Sequence, residues 1–124
     1  MSAHLAVDDA GETTLAAVDS FNEVFNRHDV DAIMAHMTDD CLLETTSPAP
    51  DGGRFRGQAA VRAVWEQFFR EDPAARFDAE EAFAVGDRCV VRWRYTFSSG
   101  HVRGVDVIRV RDGKVAEKLA YVKG

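Results

Sequence analysis

Apolar positions recur at helical spacing along the first half of the chain and at every second residue along the second half. That change of period divides the molecule. Val18, Phe21 and Phe25 share one helical face, with Val24 beside them, while Asp19, Asn22, Glu23 and Asn26 fall opposite. This predicts a helix capped by Thr13 or Thr14 and running to about Arg27. The polar residues 1–11 precede it, the first few of them loose. Asp29 reads as the cap of a second, short helix that buries Ile33, Met34 and Met37 and stops at Thr38-Asp39-Asp40. Cys41 to Thr46 reads as a short strand. Ser47-Pro48-Ala49-Pro50-Asp51-Gly52-Gly53 then has the composition of a loop, and loops of this kind often overhang a pocket mouth. Gly57 opens a third helix with Val61, Val64, Trp65, Phe68 and Phe69 as its apolar stripe, and Pro73 ends it.

From there the period is two. Arg76 to Ala84 alternates weakly, with Phe77 and Phe83 on one parity, and Gly86-Asp87 turns the chain. Arg88 to Phe97 is a long strand, with Val91, Trp93, Tyr95 and Phe97 on one face and Val90, Arg92, Arg94 and Thr96 on the other. Ser98-Ser99-Gly100 returns the chain into a strand over Arg103 to Val110. Asp112-Gly113 is a hairpin signal before the last strand, Val115 to Val122. Helices first and antiparallel strands last predict an α+β fold, one strongly bent sheet wrapped against three helices. The length of 124 residues suits one domain, 1–124, with its core over about 13–123.

The strand Arg103 to Val110 carries the most informative residue. Its face of Val102, Gly104, Asp106, Ile108 and Val110 is apolar except for one carboxyl. Removing a lone carboxylate from water is costly, so such a group finds a partner, takes up a proton or lines a wet cavity. Asp106 is therefore the candidate catalytic residue.

Composition narrows the partners. A formal charge of −6 argues against nucleic acid or an anionic membrane. No stretch approaches the ~20 apolar residues of a membrane span, and the N-terminus has neither a basic region nor an apolar run for export. Cys41 and Cys89 fall outside zinc or redox spacing and read as reduced core thiols, which places the protein in the cytoplasm. The histidines, His4, His28, His36 and His101, show no metal spacing, and no nucleotide or flavin motif is present, so no cofactor is expected. Arginine over lysine, with abundant Ala, Val and Asp, fits a bacterial genome rich in GC.

The order helix, short helix, strand, loop, helix, four strands resembles the nuclear transport factor 2-like superfamily and, more narrowly, SnoaL-like proteins, close in fold to ketosteroid isomerase and scytalone dehydratase. The residues that carry the resemblance are Phe25 to Ala32, Thr38-Asp39-Asp40-Cys41, Phe55-Arg56-Gly57 and Gly104 to Val115. It implies a cystatin-like cone, a curved sheet closed by three helices around a deep apolar cavity, and a homodimer formed through the outer sheet face. It also puts Asp106 where SnoaL-type cyclases carry their acid/base aspartate. The isomerase's other groups are missing: its base position is Thr45 and its tyrosine position is Phe21, so ketosteroid isomerisation is not expected.

Around Asp106 the expected pocket is lined by Phe21, Phe25, Trp65, Phe68, Trp93, Tyr95 and Ile108, a setting for a small, flat, hydrophobic molecule. Glu44 would act as a base if it points inward; if Leu43 and Thr45 face the cavity, Glu44 faces out. His101 reaches the pocket rim only if the hairpin twists there, and Tyr121 offers a hydroxyl to the cavity or to the dimer seam. The function expected is acid/base catalysis on a small carbonyl- or epoxide-bearing substrate. A non-catalytic binder of small hydrophobic molecules and a dimeric interaction scaffold are the alternatives.

Overall fold

Asp8, rather than a threonine, starts the first helix. In the computed structural model, which describes residues 3–124, α1 spans Asp9–Asn26. The Asp8 carboxylate accepts from Gly11 N at 2.7 Å and from Gly86 N at 3.0 Å, so one side chain caps the helix and pins a distant turn. Thr14, expected as a cap, is buried and donates to Gly86 O at 2.6 Å. Val18, Phe21, Val24 and Phe25 form the buried stripe as the spacing predicts. Asp29 caps α2 (Val30–Ala35) through Ala32 N. Gly57 stands before α3 (Gln58–Glu71), which buries Val61 and Trp65 and ends just ahead of Pro73.

Seven strands form one sheet: β1 (Ala3–Ala6), β2 (Met37–Glu44), β3 (Arg54–Arg56), β4 (Arg76–Val85), β5 (Arg88–Phe97), β6 (Gly100–Arg111) and β7 (Lys114–Val122). Their order is β1-β4-β5-β6-β7-β2-β3, antiparallel except for the parallel pairs β1 with β4 and β2 with β7. The sheet is curved and open, and with the three helices it forms the cone-like α+β architecture expected. The helices cover one face. Phe21, Ile33, Met37, Leu43, Val61, Ile108 and Val115 meet there, shut off from solvent.

Several local expectations need correction. Residues within the polar lead form β1 at the sheet edge, where His4 lies opposite Ala82. β2 begins at Met37, so Thr38-Asp39-Asp40 is strand and not a stop. Arg111 bonds to Asp40, ties β6 to β2 and holds that carboxyl below its ordinary range. Phe77 and Phe83 do not share a face. Ala79 lies opposite Trp93 but Glu81 lies opposite Arg92, so Glu80 is an extra residue, a bulge. Beyond it Ala82 and Ala84 turn inward, and Phe83 is exposed.

The outer face of β4, β5 and β6 carries a lattice of ion pairs: Arg92 with Glu81 at 3.0 Å, Arg94 with Asp78 at 3.5 Å, and Arg103 with Glu80 at 2.8 Å. Arg109 joins Asp87 at 3.5 Å and Glu117 at 3.6 Å. These arginines therefore point away from the helices.

Candidate active site

Asp106 sits in the middle of β6, between Val91 on β5 and Ala120 on β7. Its inward parity follows from the alternation of the strand. Lys118 occupies β7 opposite Ile108, one diagonal step from Asp106. Its Nζ lies 3.1 Å from Asp106 Oδ2, and both side chains are shut away, 9% and 6% exposed. The lone carboxyl thus has a cationic partner, one the sequence reading did not identify. Alternation along β7 does not single it out: Lys118 shares its face with Ala116, which is buried, and Ala120, which is half-buried. Two aromatic rings add to the setting. Lys118 Nζ lies 5.9 Å from the centre of Phe25 and 5.6 Å from that of Trp65, within cation–π range.

The pair lines a cavity of about 390 Å³, of ligand-pocket size. α1 contributes Phe25, α3 contributes Trp65 and Phe68, β2 contributes Leu43, and the central strands contribute Phe77, Trp93 and Tyr95. The rings brace one another: Phe25 meets Trp65 edge-on at 5.1 Å, and Phe77 stacks on Tyr95 at 4.8 Å. Exposed lining residues Ser47, Gln67 and Glu71 mark the mouth. A second void of about 20 Å³, lined by Asn22, Trp93, Asp106 and Lys118 among others, has room for one water.

Three polar atoms in this region are buried with no hydrogen-bond partner among the described residues: Asp106 Oδ1, Trp65 Nε1 and Trp93 Nε1. Unmade hydrogen bonds of this kind are costly in a folded interior. The arrangement joins apolar walls to one buried carboxylate–ammonium pair.

Of the other residues singled out from sequence, Phe25, Trp65, Phe68, Trp93 and Tyr95 line the cavity. Phe21 and Ile108 do not; both are fully buried in the core beside it. Glu44 stands at the cavity edge, bonded to Arg54, with its strand position opposite Leu119 on the outward parity. His101 is exposed near the β5–β6 turn, 3.2 Å from Arg103 Nη1, and does not reach the cavity. Tyr121 is 55% exposed and faces outward beside Arg103. Thr45 spends its hydroxyl on the loop, donating to Ser47 O and accepting from Gly53 N, both at 2.9 Å.

Comparison with known proteins places this geometry among relatives. The profile of the SnoaL-like domain matches residues 18–118. A nuclear transport factor 2-like protein of unknown function from Mesorhizobium loti is 43% identical, over 98% of this chain and 99% of its own, with a TM-score of 0.85. A proposed ketosteroid isomerase from Kribbella flavida is 20% identical over 92% of this chain and 80% of its own, TM-score 0.77. A proposed polyketide cyclase from Sinorhizobium meliloti is 20% identical over 85% and 93%, TM-score 0.73. The last two likenesses concern the fold. No curated protein matches the chain significantly. No helix among the described residues is long and apolar enough to cross a membrane.

Proposed function

The chain belongs to the SnoaL-like domain family, and on that footing we propose that it is an acid–base catalyst acting on a small apolar carbonyl compound with its own side chains. The observation that carries the reading is the Asp106–Lys118 pair, buried in the wall of an otherwise apolar cavity. The strand holds the carboxylate at a fixed place in that wall, so a substrate bound against it meets a base already oriented. Asp106 takes a proton from the carbon next to the carbonyl. Lys118, 3.1 Å from that carboxylate, donates to the oxygen on which the enolate charge develops. Returning the proton to another atom gives an isomer; returning it after an internal carbon–carbon bond forms gives a cyclised product. The lysine divides the acid and base roles between two side chains. With a cation beside it the carboxyl serves as the acceptor, and the donor is Lys118.

This reading keeps the chain as one domain working in the cytoplasm, where Cys41 and Cys89 remain thiols. The test is solvent deuterium exchange into a panel of small cyclic ketones, followed by NMR. Wild-type protein should exchange the protons next to the carbonyl, and Asp106→Asn should lose on the order of a hundredfold or more of that rate. Exchange no faster than buffer across the panel, or undiminished in Asp106→Asn, would remove the proposal.

A second reading, a binder without chemistry, is favoured by one observation: the two buried charges neutralise each other. It predicts that hydrophobic carbonyl compounds raise the melting temperature equally in wild type and in Asp106→Asn, with no exchange in either.

A further inference from the structure

Lys118 differs from the other lysines of the chain in more than burial. The protein has three, Lys114, Lys118 and Lys123, against twelve arginines, so cationic work elsewhere is left to guanidinium groups. Lys114 and Lys123 are exposed. Arginine is the better partner for a fixed carboxylate, since it binds in two places and never loses its charge. A lysine at this buried pair keeps what arginine lacks, an amine that becomes a nucleophile once it gives up a proton. The acceptor for that proton lies 3.1 Å away on Asp106.

We infer that Lys118 is an imine-forming amine, and that the cavity captures small apolar aldehydes or ketones covalently at its Nζ. An occupant that fills the mouth expels water from around the ion pair. The proton passes from Lys118 Nζ to Asp106 Oδ2 across that short contact, leaving a neutral amine beside a carboxylic acid. The free amine attacks the carbonyl carbon, one of its two protons moves to the oxygen to give a hydroxyl, and the Asp106 proton turns that hydroxyl into the water that leaves. One C–N double bond forms, one C–O double bond breaks, and one water is released. The void of about 20 Å³ beside both residues lies where that water departs. The product is again a cation. The Phe25 and Trp65 rings, 5.9 and 5.6 Å from Nζ, and the restored Asp106 carboxylate stabilise an iminium as they stabilise the ammonium.

The claim shares the cavity with the acid–base reading but not its chemistry. The whole protein is incubated with sodium cyanoborohydride and a graded series of aldehydes from propanal to naphthaldehyde, then digested and mapped by mass spectrometry. Reduced adduct should form on Lys118 ahead of the exposed Lys114 and Lys123. Lys118→Arg, which keeps a cation beside Asp106, should lose that adduct entirely. Asp106→Asn should slow it on the order of a hundredfold. Adducts confined to the surface lysines with every aldehyde, or unchanged labelling in Lys118→Arg, overturn the inference. Trapping without deuterium exchange sustains it while the acid–base reading fails; exchange without trapping does the reverse.

Discussion

Asp106 and Lys118 are each dependent on the other. A carboxylate or an ammonium this deep costs several kcal/mol to dehydrate, and the pair offsets that cost only while both members are present. Lys118→Met alone should therefore lose about 3–5 kcal/mol in urea unfolding. The double variant Lys118→Met/Asp106→Leu should recover most of it, while losing any chemistry the pair performs. Equal urea midpoints for wild type and Lys118→Met would show that the pair holds nothing. Asp106 was legible in the sequence because one charge interrupts an apolar face. Lys118 was not, because Val115 to Val122 reads as an ordinary half-wet strand and a lysine there looks like its solvent side. Only the pairing of β7 with β6 reveals which way it points. Phe21 and Ile108 were misplaced for a related reason: an apolar residue looks the same in a packed core and in a cavity wall. Cys89 gives a separate expectation. Burial, with the charges of Asp19 and Asp106 behind it, pushes its thiol up to about 11. The fold thus favours the protonated form. That share of stability is complete below the ordinary value of 9.0 and is lost as pH rises from there through about 11. Native protein should leave Cys89 unreacted with a disulfide reagent at pH ~8 and expose it on unfolding, and Cys89→Ala should flatten the alkaline limb of the stability curve. Prompt reaction in the native state would contradict this placement.

Among the elements, β6 is held close against its neighbours at Gly104. A methyl group there would stand 2.2 Å from Tyr121 O and 2.6 Å from the Trp93 ring. Backbone on one side and a packed indole on the other leave no room to yield. Gly104→Ala should cost about 1–3 kcal/mol or more. Smaller side chains at Trp93 should relieve only part of it, as thermal unfolding of the double variant would show. The long elements were legible because each repeats its apolar period several times; α1, α3, β5 and β6 follow the expected spacing closely. Short ones were not. β1 and β3 have four and three residues, too few to show a period, and β1 exists through a partner far away in the chain. The Glu80 bulge was also hidden, since an inserted residue shows itself only against the strand opposite. Its effect reaches the site: before it Phe77 faces the cavity, and after it the inward positions carry alanines that let α1 approach.

At the scale of the molecule, the two sides of the sheet divide the labour. The helix side encloses the cavity, and the other side presents the arginine–carboxylate lattice with Val105, Val107, Leu119 and Tyr121 among its charges. Isolated exposed ion pairs contribute little to folding, and the apolar residues among them are only half covered or exposed. We propose that two copies associate there. Sedimentation equilibrium should show a dimer that Tyr121→Glu converts to monomer without loss of secondary structure, and a wild-type monomer at high concentration would end the idea. The chain contains two tryptophans, and both border the cavity. Their indole emission therefore arises wholly from that chamber. Anything that enters announces itself by altering the colour or yield of that light, so occupancy is readable in untagged protein, one optical trace per candidate guest.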